Sequence, residues 1–320
     1  MSRLEDGATA PKELLDSILA NQADAPEQAY SEAAGEFGHV LLGRTKVIKM
    51  PGDGAQAESM RSVLFESAII AELDRAALPP PVSIPSVIEA QVSSPPYYMA
   101  ITRVGEDVLD QSALRHFDPT QLRDYGTRIG SFVAWMEVSL SIDSYKGLYD
   151  ASGRPQIFDR ADFIRISPEH FANQSLPPDL RKLLFDVRDE FVEREKDGDL
   201  KPNLVGHDDL RVGNVAFSGN GVSRRLDGIF DFGLTKPSSP ERELRALAPL
   251  PDALEAGIDT YETIARRKLS HELIGFWALA QVVTSYAGML GVNNFTGAES
   301  KRIDLQTLLA GKNLHADLNP

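Results

Sequence analysis

The sequence contains no cysteine in its 320 residues, which excludes disulfide bonds, thiolate metal sites and cysteine nucleophiles. It also has no Walker A pattern, which argues against a P-loop NTPase. The first residues, MSRLEDGATAPKELL, include acids and no apolar core. We therefore expect no secretory signal and a cytoplasmic protein.

Positive charge is scarce: 33 Lys and Arg residues stand against 47 Asp and Glu residues, a net charge of -14. A nucleic-acid partner is disfavoured, because binding a phosphate backbone requires a basic face. The longest apolar run, residues 273–292, approaches the length of a membrane span. It contains Gln281, Thr284 and Tyr286, so we interpret it as a buried helix and expect no membrane association. The oligomeric state is not indicated.

The hydrophobic pattern predicts an α+β protein of two lobes, over residues 1–102 and 103–320, of which residues 1–28 form a polar extension with one short helix over 11–20. In the first lobe, the segments HVLLG, KVIKM, VIEAQV and YYMAITRV predict strands, and residues 58–78 predict a helix. The second lobe is predicted to be mainly helical. Its expected helices lie near residues 119–139, 177–196, 240–248, 252–266 and 270–291, with a strand-rich island at 203–232.

The segment VGHDDLRVGNVAF, residues 205–217, carries the strongest chemical signal. Asp209 and Asn214 stand five residues apart on a predicted loop between strands, and a predicted hairpin returns Asp231 beside Asn214. Oxygen atoms of Asp231 and Asn214 suit Mg²⁺, while Asp209 is left to accept a proton from a hydroxyl group. This spacing matches the arrangement used for phosphoryl transfer in kinases.

HDDLRVGN followed by GIFDFG resembles the HGDxxxxN and IDF motifs of the aminoglycoside phosphotransferase family. The segments VIKMP, LFESAIIAEL, YYMAITRVGE and PERELRAL follow the order of further family segments, with Glu243 in the acidic position of the last. The resemblance covers most of the chain. It implies the two-lobed protein-kinase-like fold, with a small antiparallel-sheet lobe carrying one main helix and a larger, mostly helical lobe.

The resemblance also implies a site for ATP or GTP with Mg²⁺. Its implied nucleotide-binding residues are Gly35, Gly38, Lys49, Glu66, Met99, Ala100 and Thr102. Lys49, held by Glu66, would contact the α and β phosphates, and Met99 would lie beside the adenine. The backbone of Ala100 and Thr102 would face the adenine edge. Asn214 and Asp231 would bind the metal.

Two residues are expected to act in catalysis, namely Asp209 as the base and Arg211 as a cation near the transferring phosphoryl group. Asp208 replaces the family's usual glycine, and we expect its side chain to point away from Asp209. His207 is expected to be structural. The glycine loop AAGEFGH lacks the GxGxxG pattern.

Some assignments have rivals at this stage. Lys46 competes with Lys49, and Glu58 and Glu72 compete with Glu66. The expected activity is ATP-dependent transfer of the γ-phosphoryl group to a hydroxyl of a small molecule: an aminoglycoside or other antibiotic, a sugar or an amino alcohol. The alternatives are a non-catalytic nucleotide-binding or interaction protein on the same fold, and a kinase that acts on a protein.

Overall fold

The computed structural model describes residues 31–35, 38–51, 56–91, 97–109, 111–153, 160–172, 176–291 and 294–311. The helix expected over residues 11–20 lies outside these ranges. The first part of the described chain forms a five-stranded antiparallel sheet in the order β1-β2-β3-β5-β4. Its strands are β1 (Ser31–Gly35), β2 (Gly38–Leu42), β3 (Lys46–Pro51), β4 (Val87–Gln91) and β5 (Tyr98–Thr102). Four of them confirm predicted strands, whereas β1 was not predicted. The lobe boundary after residue 102 stays a prediction.

Alternation along β3 gives the two faces of this sheet different roles, because successive side chains point to opposite faces. Ile48 and Met50 are buried on one face, in a small apolar cluster with Tyr98. Lys49 lies on the other face, opposite Met99 of β5. Helix α1 (Gln56–Asp74) packs on the Lys49 face.

Nine further helices follow α1 in the described part of the chain. They are α2 (Gln111–Leu114), α3 (Pro119–Ser139), α4 (Ile142–Ser152), α5 (Arg160–His170), α6 (Pro178–Asp197), α7 (Pro240–Leu244), α8 (Pro251–Ala265), α9 (His271–Gly291) and α10 (Phe295–Gly311). The predictions for α3, α6, α8 and α9 are confirmed within two residues at each end. The helix predicted over 240–248 is α7 followed by a 3-10 turn, Arg245–Leu247. Helices α2, α4, α5 and α10 were not predicted.

The strand-rich island is divided between two small sheets. Strands β6 (Asp107–Val108), β8 (Val215–Ser218) and β9 (Arg225–Ile229) form one, in which β8 and β9 are the predicted hairpin. Strand β7 (Leu204–Gly206) instead pairs with β10 (Lys236–Ser238). The loop with Asp209 and Asn214 therefore leaves one sheet at Gly206 and enters the other at Val215.

Helix α9 is long and apolar enough to cross a membrane by length and composition alone. However, 67% of its most apolar 18-residue window is buried inside the protein. Trp277, Ala280 and Val283 belong to a cluster with residues of α5, α6 and α10. This agrees with the interpretation of the segment as a core helix.

Helices α3 and α8 approach each other closely because glycines lie at their crossing. A Cβ atom at Gly130 would lie 2.2 Å from the carbonyl oxygen of Gly257, and one at Gly126 would lie 1.9 Å from that of Ala253. These neighbours are backbone atoms, which cannot rotate away. The contact therefore tolerates no side chain at either α3 position.

We predict that Gly130→Ala lowers the free energy of unfolding by about 1–3 kcal/mol, the usual effect of overpacking. Gly147→Ala is the matched control, since a Cβ atom at that helical glycine meets nothing within 4 Å. Alanine there should be neutral or stabilising by about 0.5–1 kcal/mol. Denaturant unfolding of the three proteins measures both effects, and equal stability of the two variants would contradict the packing argument.

Candidate active site

Lys49 joins three elements through its ammonium group. Its Nζ donates to Glu66 Oε1 at 2.7 Å and Oε2 at 2.9 Å, and to Asp231 Oδ1 at 2.8 Å. Glu66 comes from α1, and Asp231 follows β9. The expected Lys49–Glu66 ion pair is therefore present. We call Lys49, Glu66 and Asp231 the Lys49 ion cluster.

The rivals of Lys49 and Glu66 lie elsewhere. Lys46 stands three residues before Lys49, which puts it on the opposite face of β3. Glu72 pairs with Arg75 at 3.2 Å. The side chain of Glu58 is outside the described part of the structure. Among the side chains that are described, Lys49 and Glu66 form the pair.

Burial and charge pairing together set the ionisation of this cluster. Burial raises the pKa of Glu66, although its ion pair with Lys49 acts in the opposite direction. Burial alone would lower the pKa of Lys49, but the carboxylates of Glu66 and Asp231 raise it above its ordinary value. Burial would likewise raise the pKa of Asp231, but Lys49 holds it below its ordinary value. Lys49 is therefore a cation and Asp231 an anion at neutral pH. The Asp231 side chain is 42% exposed, so a cation from solvent can reach it.

Backbone contacts bring Asp231 beside the loop that carries Asn214. Phe230 donates its N–H to the carbonyl of Asn214 at 3.1 Å. His207, which is fully buried, places its Nε2 2.9 Å from the carbonyl of Phe230. Asp231 itself is left-handed, with φ 69°, a conformation that costs free energy in a residue other than glycine. Tertiary contacts, including those of His207, thus fix the turn.

Asp209 is held in place by its neighbours on the same loop. It is 3% exposed. Its Oδ2 accepts from Asn214 Nδ2 at 2.7 Å and lies 3.0 Å from Arg211 Nε. Asn214 Nδ2 also donates to the Asp209 carbonyl at 3.0 Å. The expected proximity of Asp209, Arg211 and Asn214 is present, and the carboxylate of Asp209 has a fixed orientation.

The donor set fits a metal that is only partly held by protein. Because the amide nitrogen of Asn214 faces Asp209, its amide oxygen is the atom that remains for a cation. The other candidate ligand is the ionised carboxylate of Asp231. The described residues contain no group of three or more His, Asp or Glu that could hold a metal. Two protein oxygens with the rest of the shell from phosphates and water is a normal arrangement for Mg²⁺.

Asp208 and Asp209 are adjacent but have different partners. The carboxylate of Asp208 binds Arg242 at 2.7 Å and Lys236 at 2.8 Å. Asp208 therefore points away from Asp209, as expected, although the reason is its left-handed backbone, with φ 61°. Lys236 and Arg242 were not predicted from the sequence, and in PERELRAL only Glu243 was assigned a position in the motif. The arginines of that segment, three apart on one helical face, were the available signal.

The two glycines of the glycine loop lie on paired strands. Gly35 and Gly38 are register partners at the ends of β1 and β2, with two residues between them in the sequence. Val40 of β2 is the cross-strand partner of Lys49, and so is Met99 of β5. Met99 is fully buried. Gly38 and Met99 therefore lie on the two strands next to that of Lys49, whereas Gly35 lies one strand further away, on β1.

The strand pairing does not support the expectation that Ala100 and Thr102 face an adenine edge. Ala100 lies in a strand paired on both sides, with Ile48 and with Glu89. Thr102 donates its N–H to the carbonyl of Ser86 at 2.9 Å, and the next N–H, of Arg103, goes to Thr45 at 2.8 Å. The sheet uses these groups first, because buried backbone polar groups must be paired.

The chain is similar to a known protein family. The sequence model of the "Phosphotransferase enzyme family" matches residues 40–268, which is more than half of the chain. A search of curated protein sequences finds no match.

Solved structures of the same fold are similar at low identity. The GDP and kanamycin complex of APH(2")-IIia has a TM-score of 0.69 at 15% identity, with 94% of this chain and 99% of that chain covered. The streptomycin-ATP-APH(2")-IIa ternary complex has a TM-score of 0.61 at 14% identity, covering 93% and 99%. Macrolide 2'-phosphotransferase MphH from Brachybacterium faecium has a TM-score of 0.60 at 14% identity, covering 92% and 98%. These structures share the two-lobed protein-kinase-like fold with this chain. Because the family match spans most of that fold, the chain belongs to the phosphotransferase enzyme family.

Proposed function

We propose that the protein transfers the γ-phosphoryl group of ATP, or of GTP, to a hydroxyl group of a small molecule. The observation that supports this proposal is that two sets of bonded side chains meet at one loop and the hairpin that follows it. Lys49, whose side chain is 16% exposed, is bonded to Glu66 and Asp231, and Asp209 is bonded to Asn214. Phosphoryl transfer requires a cation, oxygen ligands for a metal ion and a proton acceptor.

On the nucleotide side, Lys49 would contact the α and β phosphates, with Glu66 holding its ammonium in that direction. Gly35 and Gly38 would allow the hairpin tip to approach the phosphates closely, since neither has a side chain. Met99 would lie beside the adenine. When bound at Asn214 and Asp231, Mg²⁺ would neutralise negative charge on the phosphates.

On the acceptor side, Asp209 would orient the substrate hydroxyl and accept its proton. Arg211 is mostly exposed, with 57% of its side chain accessible, and lies 3.0 Å from Asp209. Its guanidinium can contact Asp209 before the substrate binds and the transferring phosphoryl group afterwards, where a cation stabilises developing charge. Positioning and charge account for most of the rate enhancement in such reactions.

Antibiotics are the acceptors to examine first. The neighbours of similar fold are described as complexes with kanamycin, gentamicin and streptomycin, and one as a macrolide phosphotransferase. The net charge of -14 weakly favours a cationic acceptor through long-range attraction. Other hydroxylated antibiotics, sugars and amino alcohols complete the acceptor class.

The experiment is a screen that incubates the protein with Mg²⁺ and either ATP or GTP. Each mixture contains one acceptor from the aminoglycosides, macrolides, sugars and amino alcohols. Mass spectrometry should find an acceptor heavier by one phosphoryl group, with an equal amount of nucleoside diphosphate. Nucleotide binding without any phosphorylated product would favour the non-catalytic alternative. Phosphate on a protein substrate instead would favour a protein kinase.

We predict that Asp231→Asn removes the Mg²⁺ dependence of nucleotide binding, because the neutral amide replaces the ionised metal ligand. Calorimetry with and without chelator measures this dependence. Asp227→Asn is the matched control: Asp227 lies four residues earlier and bonds Ser218 at 2.9 Å, so its variant should keep the wild-type response. A Mg²⁺ response that persists in Asp231→Asn would show that the metal binds elsewhere.

We also predict that Asp209→Asn reduces turnover by about 10²- to 10⁴-fold, the usual effect of losing a general base. The amide keeps the shape of the side chain but cannot accept the proton. Nucleotide affinity should stay within about twofold of wild type, since Lys49 and Asp231 are unchanged. Initial rates with the acceptor found by the screen, and nucleotide titrations, give the two quantities. Near-normal turnover in this variant would exclude Asp209 as the base.

A further inference from the structure

We infer that Asp208 is a positioning residue, fixed by a buried ion cluster, which sets the direction of the neighbouring Asp209. This inference rests on the proposed function, because it takes Asp209 as the base. We call the cluster the Asp208 clamp. It consists of Asp208, Lys236, Arg242, Glu243 and Arg245.

Each polar group of Asp208 has a partner on one short segment of the chain, residues 236–245. Its carboxylate binds Arg242 Nε at 2.7 Å and Lys236 Nζ at 2.8 Å. Its N–H donates to Glu243 Oε2 at 3.0 Å, and its carbonyl accepts from Arg245 at 2.5 Å. The segment therefore holds both the side chain and the backbone of this one residue.

The backbone conformation of Asp208 explains why these contacts are needed. Its φ is 61°, in the left-handed region that glycine adopts without strain and that costs other residues about 1 kcal/mol or more. The surrounding bonds must over-determine such a conformation for it to persist. At a position where the related motif has glycine, the charge of Asp208 supplies the anchorage and its backbone bears the strain.

The clamp is a rigid support because its members are themselves held. Glu243 accepts from Ser238 Oγ at 2.6 Å. The guanidinium of Arg242 lies 4.9 Å from the ring centre of Trp277, and Arg245 donates to Gln281 at 2.6 Å. Trp277 and Gln281 both belong to α9, the long core helix. The loop is therefore anchored to the helical lobe.

Burial makes the charge of Asp208 necessary. Asp208 is 1% exposed, and Arg242 and Arg245 are 6% and 5% exposed. Removing the negative charge would leave buried cations without their partner, which is far less favourable than the intact cluster. The loop would then relax at residue 208. Asp209 would lose the anchor that precedes it in the chain and would keep only its bond from Asn214, which follows it.

Asp208→Asn separates charge from backbone shape, because asparagine also tolerates the left-handed conformation. Amide hydrogen exchange in residues 205–217 should become at least about tenfold faster. With Mg²⁺–ATP and water as the acceptor, kcat should fall on the order of tenfold, since small misplacements of reacting groups reduce rates. KM for ATP should stay within about twofold, because none of the contacts of Lys49 passes through Asp208.

Asp304→Asn is the control for a loss of buried charge alone. Asp304 is likewise buried, at 2% exposure, and it binds Arg115 at 2.8 Å and Lys301 at 3.3 Å. This variant should lower the melting temperature while leaving exchange in residues 205–217 and kcat unchanged. The double variant Asp208→Asn/Arg242→Gln should accelerate exchange by less than the product of the two single effects, since both changes break the same Asp208–Arg242 contact.

Exchange in Asp208→Asn that matches wild type, or that rises no more than in Asp304→Asn, would overturn the inference. If Asp208→Asn does not fold, Lys236→Met provides the same comparison, because it removes one contact at the more exposed end of the clamp. If the wild type binds no nucleotide and hydrolyses no ATP, the proposed function fails. The exchange rates still decide whether Asp208 fixes the loop.

Discussion

The ammonium group of Lys49 is largely removed from water, and a buried cation is stable only beside opposite charge. Glu66 from α1 and Asp231 from the turn after β9 provide that charge at 2.7 and 2.8 Å. This single requirement fixes the helix against the sheet and the turn against both. It also keeps Asp231 ionised and fixes the direction of the Lys49 side chain. The arrangement of the candidate active site depends on this cluster.

A second buried ion cluster, the Asp208 clamp, lies on the other side of the same loop. Contacts of His207 and Asn214 with the backbone of Phe230 join the two clusters. In the proposed function, the Lys49 ion cluster orients the nucleotide and the clamp orients the base. The nucleotide and the catalytic base would thus be positioned by separate sets of buried ion pairs. A change in one set should then alter nucleotide binding or turnover without altering both equally.

Much of the fold was predictable because its elements have strong local signals. The alternation in KVIKM and the helical spacing of α3 and α9 predicted those elements well. Helix α4 was missed because Tyr145 is its single buried residue, so its apolar pattern is weak, although Ser141 and Gly153 form its caps. Helix α5 was missed, and it contains Pro168, which normally predicts a helix end.

Within the site, short-range spacing was informative and long-range contact was not. The spacing of five positions from Asp209 to Asn214 predicted their proximity. The orientation of Asp208 depends on Arg242, which is 34 residues away and is not signalled by the loop itself. The backbone of Thr102 is bonded to Ser86 across a bulged strand pair, whose register cannot be deduced from either strand alone.

The most direct test is a crystal structure with a non-hydrolysable ATP analogue and Mn²⁺, which replaces Mg²⁺ and is located by anomalous scattering. The account predicts Mn²⁺ bound to Asn214 Oδ1 and the carboxylate of Asp231. Lys49 should keep Glu66 and exchange Asp231 for the α and β phosphates. Mn²⁺ bound away from both residues, or a nucleotide with Lys49 far from its phosphates, would contradict it.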